Sequence, residues 1–203
     1  MAVLLDQIVA EHRDENAIVD SRGATTWGQL NERVERLVHA LRDRGLTSGD
    51  CVMSMLGNQA EAIEVALACA HGGWLLVPVN WHWVADEVAY VLGDTAAAAI
   101  VVDRRWIDVV ADAERGGPMF YTSGTTGRPK GVRSALGAVG GPPEVLALIA
   151  HALAPAMELS TAGGGTQLVC GPIYHSAQWV FAHFALICGN SVVLQHRFDA
   201  GEL

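Results

Sequence analysis

The residues best suited to chemistry lie in one stretch, Tyr121 to Val132, which reads Tyr-Thr-Ser-Gly-Thr-Thr-Gly-Arg-Pro-Lys-Gly-Val. Thr122, Ser123, Thr125 and Thr126 supply hydroxyls, Gly124, Gly127 and Gly131 separate them, and Lys130 stands near the end. Such a run has too little apolar surface to build a core, but it can wrap an anion. Glycine admits dihedrals that turn backbone N–H groups inward, and successive inward N–H groups make a concave anion site. The hydroxyls add donors and the lysine adds a mobile positive charge. Pro129 fixes its own φ and stiffens the approach to that lysine. Pro118-Met-Phe-Tyr, just before, reads as a short buried strand that anchors the loop.

Two other readings compete. A solvated Gly/Ser/Thr linker has a similar composition, yet Lys130 is the only lysine in a chain that otherwise uses arginine for positive charge. The P-loop pattern G-x-x-x-x-G-K-[ST] fails on spacing, because Pro129 stands five residues after Gly124 and Lys130 is followed by glycine. A second stretch, Gly171-Pro-Ile-Tyr-His-Ser176, follows an expected strand and precedes an apolar helix. His175 therefore lies at the C-terminal end of a strand, where open parallel sheets bind ligands. Taken alone, it reads as a histidine satisfied by its own loop. His183 falls on an apolar helix and reads as a satisfied core residue. Trp81 and Trp83, flanking His82, read as core packing, and the remaining histidines lack ligand spacing, so no metal site is expected.

The elements that must position these residues alternate between strand and helix. Ala17 to Asp20 and Ala24 to Thr26 form a hairpin around Ser21-Arg-Gly23. Thr26 with Gln29 makes a capping box for a helix whose inner face is Leu30, Val34, Leu37, Val38 and Leu41, with Glu32 paired to Arg36 outside. Gly45 stops it. Cys51 to Leu56 is a strand, Asn58 with Glu61 caps the next helix up to Gly72-Gly73, and Trp74 to Val79 is an apolar strand. Ala85 to Leu92 is a helix and Ala98 to Val102 a strand. Beyond the loop come a helix from Pro143 to about Leu159, a strand from Thr166 to Cys170, a helix from Ala177 to Cys188 capped by Ser176, and a strand from Ser191 to Leu194. The fold class is α/β, with mostly parallel sheets and helices on both faces. The length of 203 residues allows a sizeable core, and 51% hydrophobic content excludes global disorder. A net charge of −9 speaks against nucleic acid as a partner. No apolar run is long enough for a transmembrane segment. Asp6 and Glu11 stand where a signal peptide needs positive charge, and four scattered cysteines without a C-x-x-C pair suit a cytoplasmic protein with reduced thiols.

Ser123-Gly-Thr-Thr-Gly-Arg-Pro-Lys-Gly131 resembles, position by position, the phosphate-binding signature of the adenylate-forming superfamily, which includes acyl-CoA synthetases, peptide-synthetase adenylation domains and luciferases. Thr26-Trp-Gly-Gln-Leu, Ser48-Gly-Asp50 and Val77-Pro-Val-Asn80 are similar to further landmarks of that family, so the resemblance covers nearly the whole chain. Arg104 to Gly117 departs from it by being short. The resemblance implies activation of a carboxylic acid with ATP and Mg²⁺ to an acyl-adenylate, followed by transfer to a thiol, usually coenzyme A. It assigns Thr122, Ser123, Gly124, Thr125, Thr126, Gly127 and Lys130 to the nucleotide phosphates. His175 becomes the catalytic candidate at the carboxylate end of the pocket, and Tyr174, His175 and Trp179 become the lining for a fatty or aromatic acid. Tyr174-His175-Ser176 and Arg197-Phe-Asp199 look more like acyl-CoA synthetases than peptide-synthetase domains. A non-catalytic nucleotide-binding protein, or an adenylation domain for another acid or acceptor, is the alternative. The resemblance further implies that residues 1–203 are part of an N-terminal AMP-binding domain, divided at 1–115 and 116–203, without the C-terminal lid. The family's Tyr-Gly-x-Thr-Glu segment, ribose-binding aspartate and C-terminal lysine have no counterpart, and Asp199 reads as a helix cap with little helix after it. On that reading the isolated chain is expected not to catalyse, and its uncovered apolar elements would favour association, including a homo-oligomer.

Overall fold

The computed structural model describes residues 3–106, 120–122, 130–132, 143–196 and 201. In chain order the elements are α1 (Val3–His12), β1 (Asn16–Asp20), β2 (Gly23–Thr26), α2 (Trp27–Asp43), β3 (Cys51–Met55), α3 (Ala60–Gly72), β4 (Leu75–Pro78), α4 (Ala85–Thr95) and β5 (Ala99–Val102). They continue as β6 (Phe120–Thr122), β7 (Lys130–Val132), α5 (Pro143–Leu153), β8 (Thr166–Val169), α6 (Ser176–Ile187) and β9 (Ser191–Leu194), with 3-10 turns at Arg104–Trp106 and Ala154–Met157. The chain divides into two compact units. One comprises Met1–Leu37, Gly57–Glu64 and Gly141–Leu203, and the other Val38–Leu56 and Val65–Gly140.

In the second unit the three expected strands are parallel neighbours in the order β4-β3-β5. All five residues of β3 are buried, which a strand achieves only when both its faces are covered. Cys51, Met53 and Met55 share a core with Val77, Val79 and the α4 residues Val88, Val91 and Leu92, as the helical spacing of α4 requires. Val52 and Ser54 point to the opposite face and are buried as well.

The first unit holds a mixed sheet in the order β2-β1-β9-β8. β1 and β2 form the expected antiparallel hairpin, turning at Gly23 with φ +130°, and β1 also pairs in parallel with β9, as β9 does with β8. The apolar α6 packs on β8 and β9, and α5 packs against α6 and α1. The sequence does not announce α1, whose pattern is too weakly amphipathic to mark a helix; Leu5 is its buried anchor.

Helix ends separate local from distant causes. The capping box of α2 forms as expected: the Gln29 N–H donates to Thr26 Oγ1 at 3.2 Å, and the Thr26 N–H donates to Gln29 Oε1 at 3.0 Å. Glu32 does not pair with Arg36. Its carboxylate takes the Arg13 guanidinium at 2.6 Å, while Arg36 Nε donates to the Glu32 backbone carbonyl. Asn58 does not cap α3. The Ala60 N–H instead donates to Asp20 Oδ2 at 3.0 Å, and Arg22 ties Asp20 to Glu61. Burial alone would raise both carboxyls, but hydrogen bonds from Arg22, with backbone N–H donors, outweigh it and hold both below their ordinary range. The helix expected to reach Leu159 ends at Leu153, because Pro155 cannot continue the ladder and the chain tightens to a 3-10 turn. Ser176 is the first residue of α6, not its cap; His175 holds the cap position in extended conformation.

Candidate functional site

Short strands flank the hydroxyl and glycine run on either side. β6 and β7 pair antiparallel, with Phe120 opposite Val132, Tyr121 opposite Gly131 and Thr122 opposite Lys130. The backbone ladder thus fixes both ends of the run, and Thr122 and Lys130 face each other across its mouth. Lys130 to Val132, read from sequence as the tail of a loop, is a strand. Ser123, Gly124, Thr125, Thr126 and Gly127 lie outside the described residues, as do Pro118 and Asp199.

The other candidates stand in the first unit, where β8 runs out into a tight turn. The His175 N–H donates to the Pro172 carbonyl at 3.0 Å, closing a turn that carries Tyr174 and His175 to the start of α6. Their rings lie 4.6 Å apart and tilted. His175 is exposed and Tyr174 half-buried, and burial raises the Tyr174 phenol above its usual range. Trp179 follows one helical turn later, its N–H donating to the His175 carbonyl at 3.0 Å. The Trp179 ring stacks on His183 with centroids 3.9 Å apart. His183 is buried and its Nδ1 lies 2.8 Å from the Trp179 carbonyl, while Nε2 has no hydrogen-bond partner among the described residues. Burial depresses its pKa to about 4, against the weaker opposing effect of that carbonyl. His183 is therefore a neutral core ring, satisfied on one nitrogen.

Sequence reasoning missed the residue that holds this turn. Asn58 bonds to Gly171, Ile173 and Gln195, residues 113 to 137 positions away. An asparagine two residues before a helix reads as a cap, and nothing local distinguishes this one. Trp81 and Trp83 pack against the β3–β4–α4 core, as expected, and Trp81 stacks on Trp106 at 6.0 Å. None of the four cysteines is in a disulfide. Burial pushes the Cys69 thiol up to about 12 with help from nearby Cys51, and raises Cys188. Among the described residues no cluster of His, Cys, Asp and Glu could hold a metal, and no helix is long and apolar enough to cross a membrane.

A feruloyl-CoA synthase of Amycolatopsis sp. is 27% identical over 208 residues, covering 89% of this chain and 40% of the relative's length. The fold is similar to that of a protein from Rhodopseudomonas palustris described as a long-chain-fatty-acid CoA ligase, at 24% identity and a TM-score of 0.80 over 98% of this chain and 58% of that one. It is also similar to that of o-succinylbenzoate CoA synthetase from Bacillus subtilis, solved with its acyl-adenylate intermediate, at 22% identity and a TM-score of 0.76 over all of this chain and 58% of the other. The chain thus spans well under two thirds of the proteins it matches. The family model for AMP-binding enzymes matches residues 5–118 and 118–202, and the chain belongs to that family.

Proposed function

We infer that this chain supplies the phosphate-binding and acid-binding portions of an AMP-forming acid–thiol ligase. In the first step an oxygen of the substrate carboxylate attacks the α-phosphorus of ATP, and the bond to pyrophosphate breaks, leaving an acyl-adenylate. In the second, a thiolate, coenzyme A by resemblance, attacks the acyl carbon and AMP departs with the electron pair. Little covalent work falls to the protein in the first step, so oriented donors and positive charge carry it. Thr122, Ser123, Gly124, Thr125, Thr126, Gly127 and Lys130 would hold the β- and γ-phosphates. Mg²⁺ would arrive on the triphosphate, since it commonly binds through substrate phosphates and few protein carboxylates. His175, with Tyr174 and Trp179, would line the carboxylate end, which suits a fatty or aromatic acid. Cys51, Cys69, Cys170 and Cys188, none of them in a disulfide, fit a reducing compartment such as the cytoplasm.

The observation that carries this reading is the hairpin register that sets Lys130 opposite Thr122 at the mouth of the glycine run. A lysine–phosphate bond is charge-assisted, worth about 1.5–3 kcal/mol when well formed. Lys130→Ala is therefore expected to lower the affinity for Mg·ATP by about tenfold or more, while AMP, which lacks the β- and γ-phosphates, binds as before. Calorimetry with both nucleotides checks this; equal effects on both, or on neither, would remove Lys130 from the phosphate site. Exchange of labelled pyrophosphate into ATP that depends on an added fatty or aromatic acid, in the protein that carries this chain, identifies the acid. Binding of ATP without binding of an acyl-adenylate analogue would favour the non-catalytic alternative.

A further inference from the structure

Asn58 lies between β3 and α3 with only 3% of its surface exposed. Its Nδ2 donates to the Gly171 carbonyl at 2.8 Å and to the Gln195 carbonyl at 3.0 Å, and its Oδ1 accepts from the Ile173 N–H at 2.8 Å. Both amide hydrogens are thereby used. A carbonyl at Gly171 and an N–H at Ile173 are the two groups an adjacent strand would pair with, so the side-chain amide takes the place of a strand residue just past the end of β8. Its third bond holds Gln195, the first residue past β9, whose own N–H donates to the Val169 carbonyl at 3.0 Å. One side chain thus clamps the C-terminal ends of two parallel strands at the point where the turn to His175 begins. Only an amide fits this position among residues of its size. An ionised aspartate would face two carbonyl oxygens, and an alanine would leave a buried N–H and two carbonyls unpaired.

The geometry points to Asn58 as a positioning residue of the acid site: it fixes the Pro172–His175 turn, and through it the rings of Tyr174 and His175, without itself touching substrate. This rests on the reading of Tyr174, His175 and Trp179 as the carboxylate end. The fold provides a control in Asn190, which is 1% exposed and also makes three bonds, to the Gly165 N–H and to the carbonyls of Ser160 and Ala185. It serves the opposite, N-terminal end of the same β8–β9 pair, away from the turn.

The test compares Asn58→Ala, Asn58→Asp and Asn190→Ala in the ¹⁵N-labelled chain by amide hydrogen exchange, by the ring resonances of Tyr174 and His175, and by calorimetry with AMP and a non-hydrolysable aromatic acyl-adenylate analogue. Asn58→Ala is expected to lower the Ile173 protection factor about tenfold or more, move both ring resonances and weaken the analogue about tenfold, with AMP binding unchanged. Asn190→Ala should reduce overall stability yet leave Ile173 protection, the two rings and the analogue as in the wild type. In Asn58→Asp the carboxyl still accepts from the Ile173 N–H at any pH, but on ionising it loses its one hydrogen for the Gly171 and Gln195 carbonyls, so both ring resonances should move with rising pH beyond their wild-type titration. Unchanged protection and rings in Asn58→Ala overturn the proposal, and so does an equal response in Asn190→Ala, which would make the amide an ordinary structural bond. If Asn58→Ala does not fold, ring resonances in Asn58→Asp that follow the wild type at every pH, or rapid exchange of Ile173 in the wild type, overturn it instead. A wild-type chain that ignores the analogue defeats the acid-site reading alone, since exchange and ring data still decide what Asn58 positions.

Discussion

A methyl group on Gly72 would lie 2.3 Å from the Trp74 ring, inside any van der Waals distance. Trp74 is almost fully buried, and its N–H is bound to the Cys69 carbonyl at 2.9 Å, so neither ring nor backbone can retreat cheaply. Gly72→Ala is expected to destabilise the fold by about 1–3 kcal/mol, the usual cost of overpacking, and a urea midpoint lowered at unchanged slope would show it. The neighbouring Gly73 sits at φ +74°, where the chain leaves α3 for β4. The sequence marked this glycine pair as a helix stop, which it is. That the first of the two makes room for an indole was not legible, because the need arises from how the chain doubles back on Trp74.

Helix starts show the same division at the scale of elements. The reciprocal bonds between Thr26 and Gln29 join residues three apart, so sequence spacing alone announces them. Thr26→Ala should cost about 1 kcal/mol, read by chemical denaturation, and Gln29→Ala should remove only the other limb; no loss in Thr26→Ala would mean the half-exposed box is replaced by water. The Ala60 N–H at the start of α3 finds its acceptor in Asp20, 40 residues earlier, and Asn58 is released to bind the ends of β8 and β9. Both facts depend on β1 lying beside β9, a pairing that no local pattern encodes. The strands themselves were legible, since Cys51 to Leu56, Trp74 to Val79 and Ala98 to Val102 are apolar runs bounded by turns. Their parallel order followed from the helices between them.

Acid response belongs to the molecule as a whole. Burial depresses both His71 and His183 from 6.5 to about 4. In each case the unfolded chain binds the proton first on acidification, so the stability these neutral rings contribute is present above about pH 6.5 and is lost as the pH falls towards 4. Each tenfold loss of proton affinity on folding corresponds to at most about 1.4 kcal/mol. Glu64, raised by burial despite Arg33, acts with the opposite sign, and His12, raised by its bond to Glu15, is half-exposed and screened by solvent. Asp20 and Glu61, held low by Arg22, weaken the fold only at more acid pH. The urea midpoint should therefore fall between pH 7 and 5, and His183→Phe, which keeps a ring against Trp179, should flatten that slope. A midpoint independent of pH over this range would show that neither ring is held neutral.

The sequence by itself determined the family, the α/β class and the order of the strands and helices apart from α1 and β7, and it marked the stretch on which the phosphate proposal rests. Each of these is written in neighbouring residues: spacing of apolar side chains, glycine and proline punctuation, and the run from Ser123 to Gly131. Tertiary structure alone decided that Lys130 opens a strand opposite Thr122, that β1 joins β9, that Asp20 starts α3, and that two buried asparagines hold opposite ends of the β8–β9 pair. The physical reason is the range of the interaction. A cap or a hydrophobic stripe is satisfied within a few residues, whereas the partner of a buried amide is fixed only when distant segments have already been brought together.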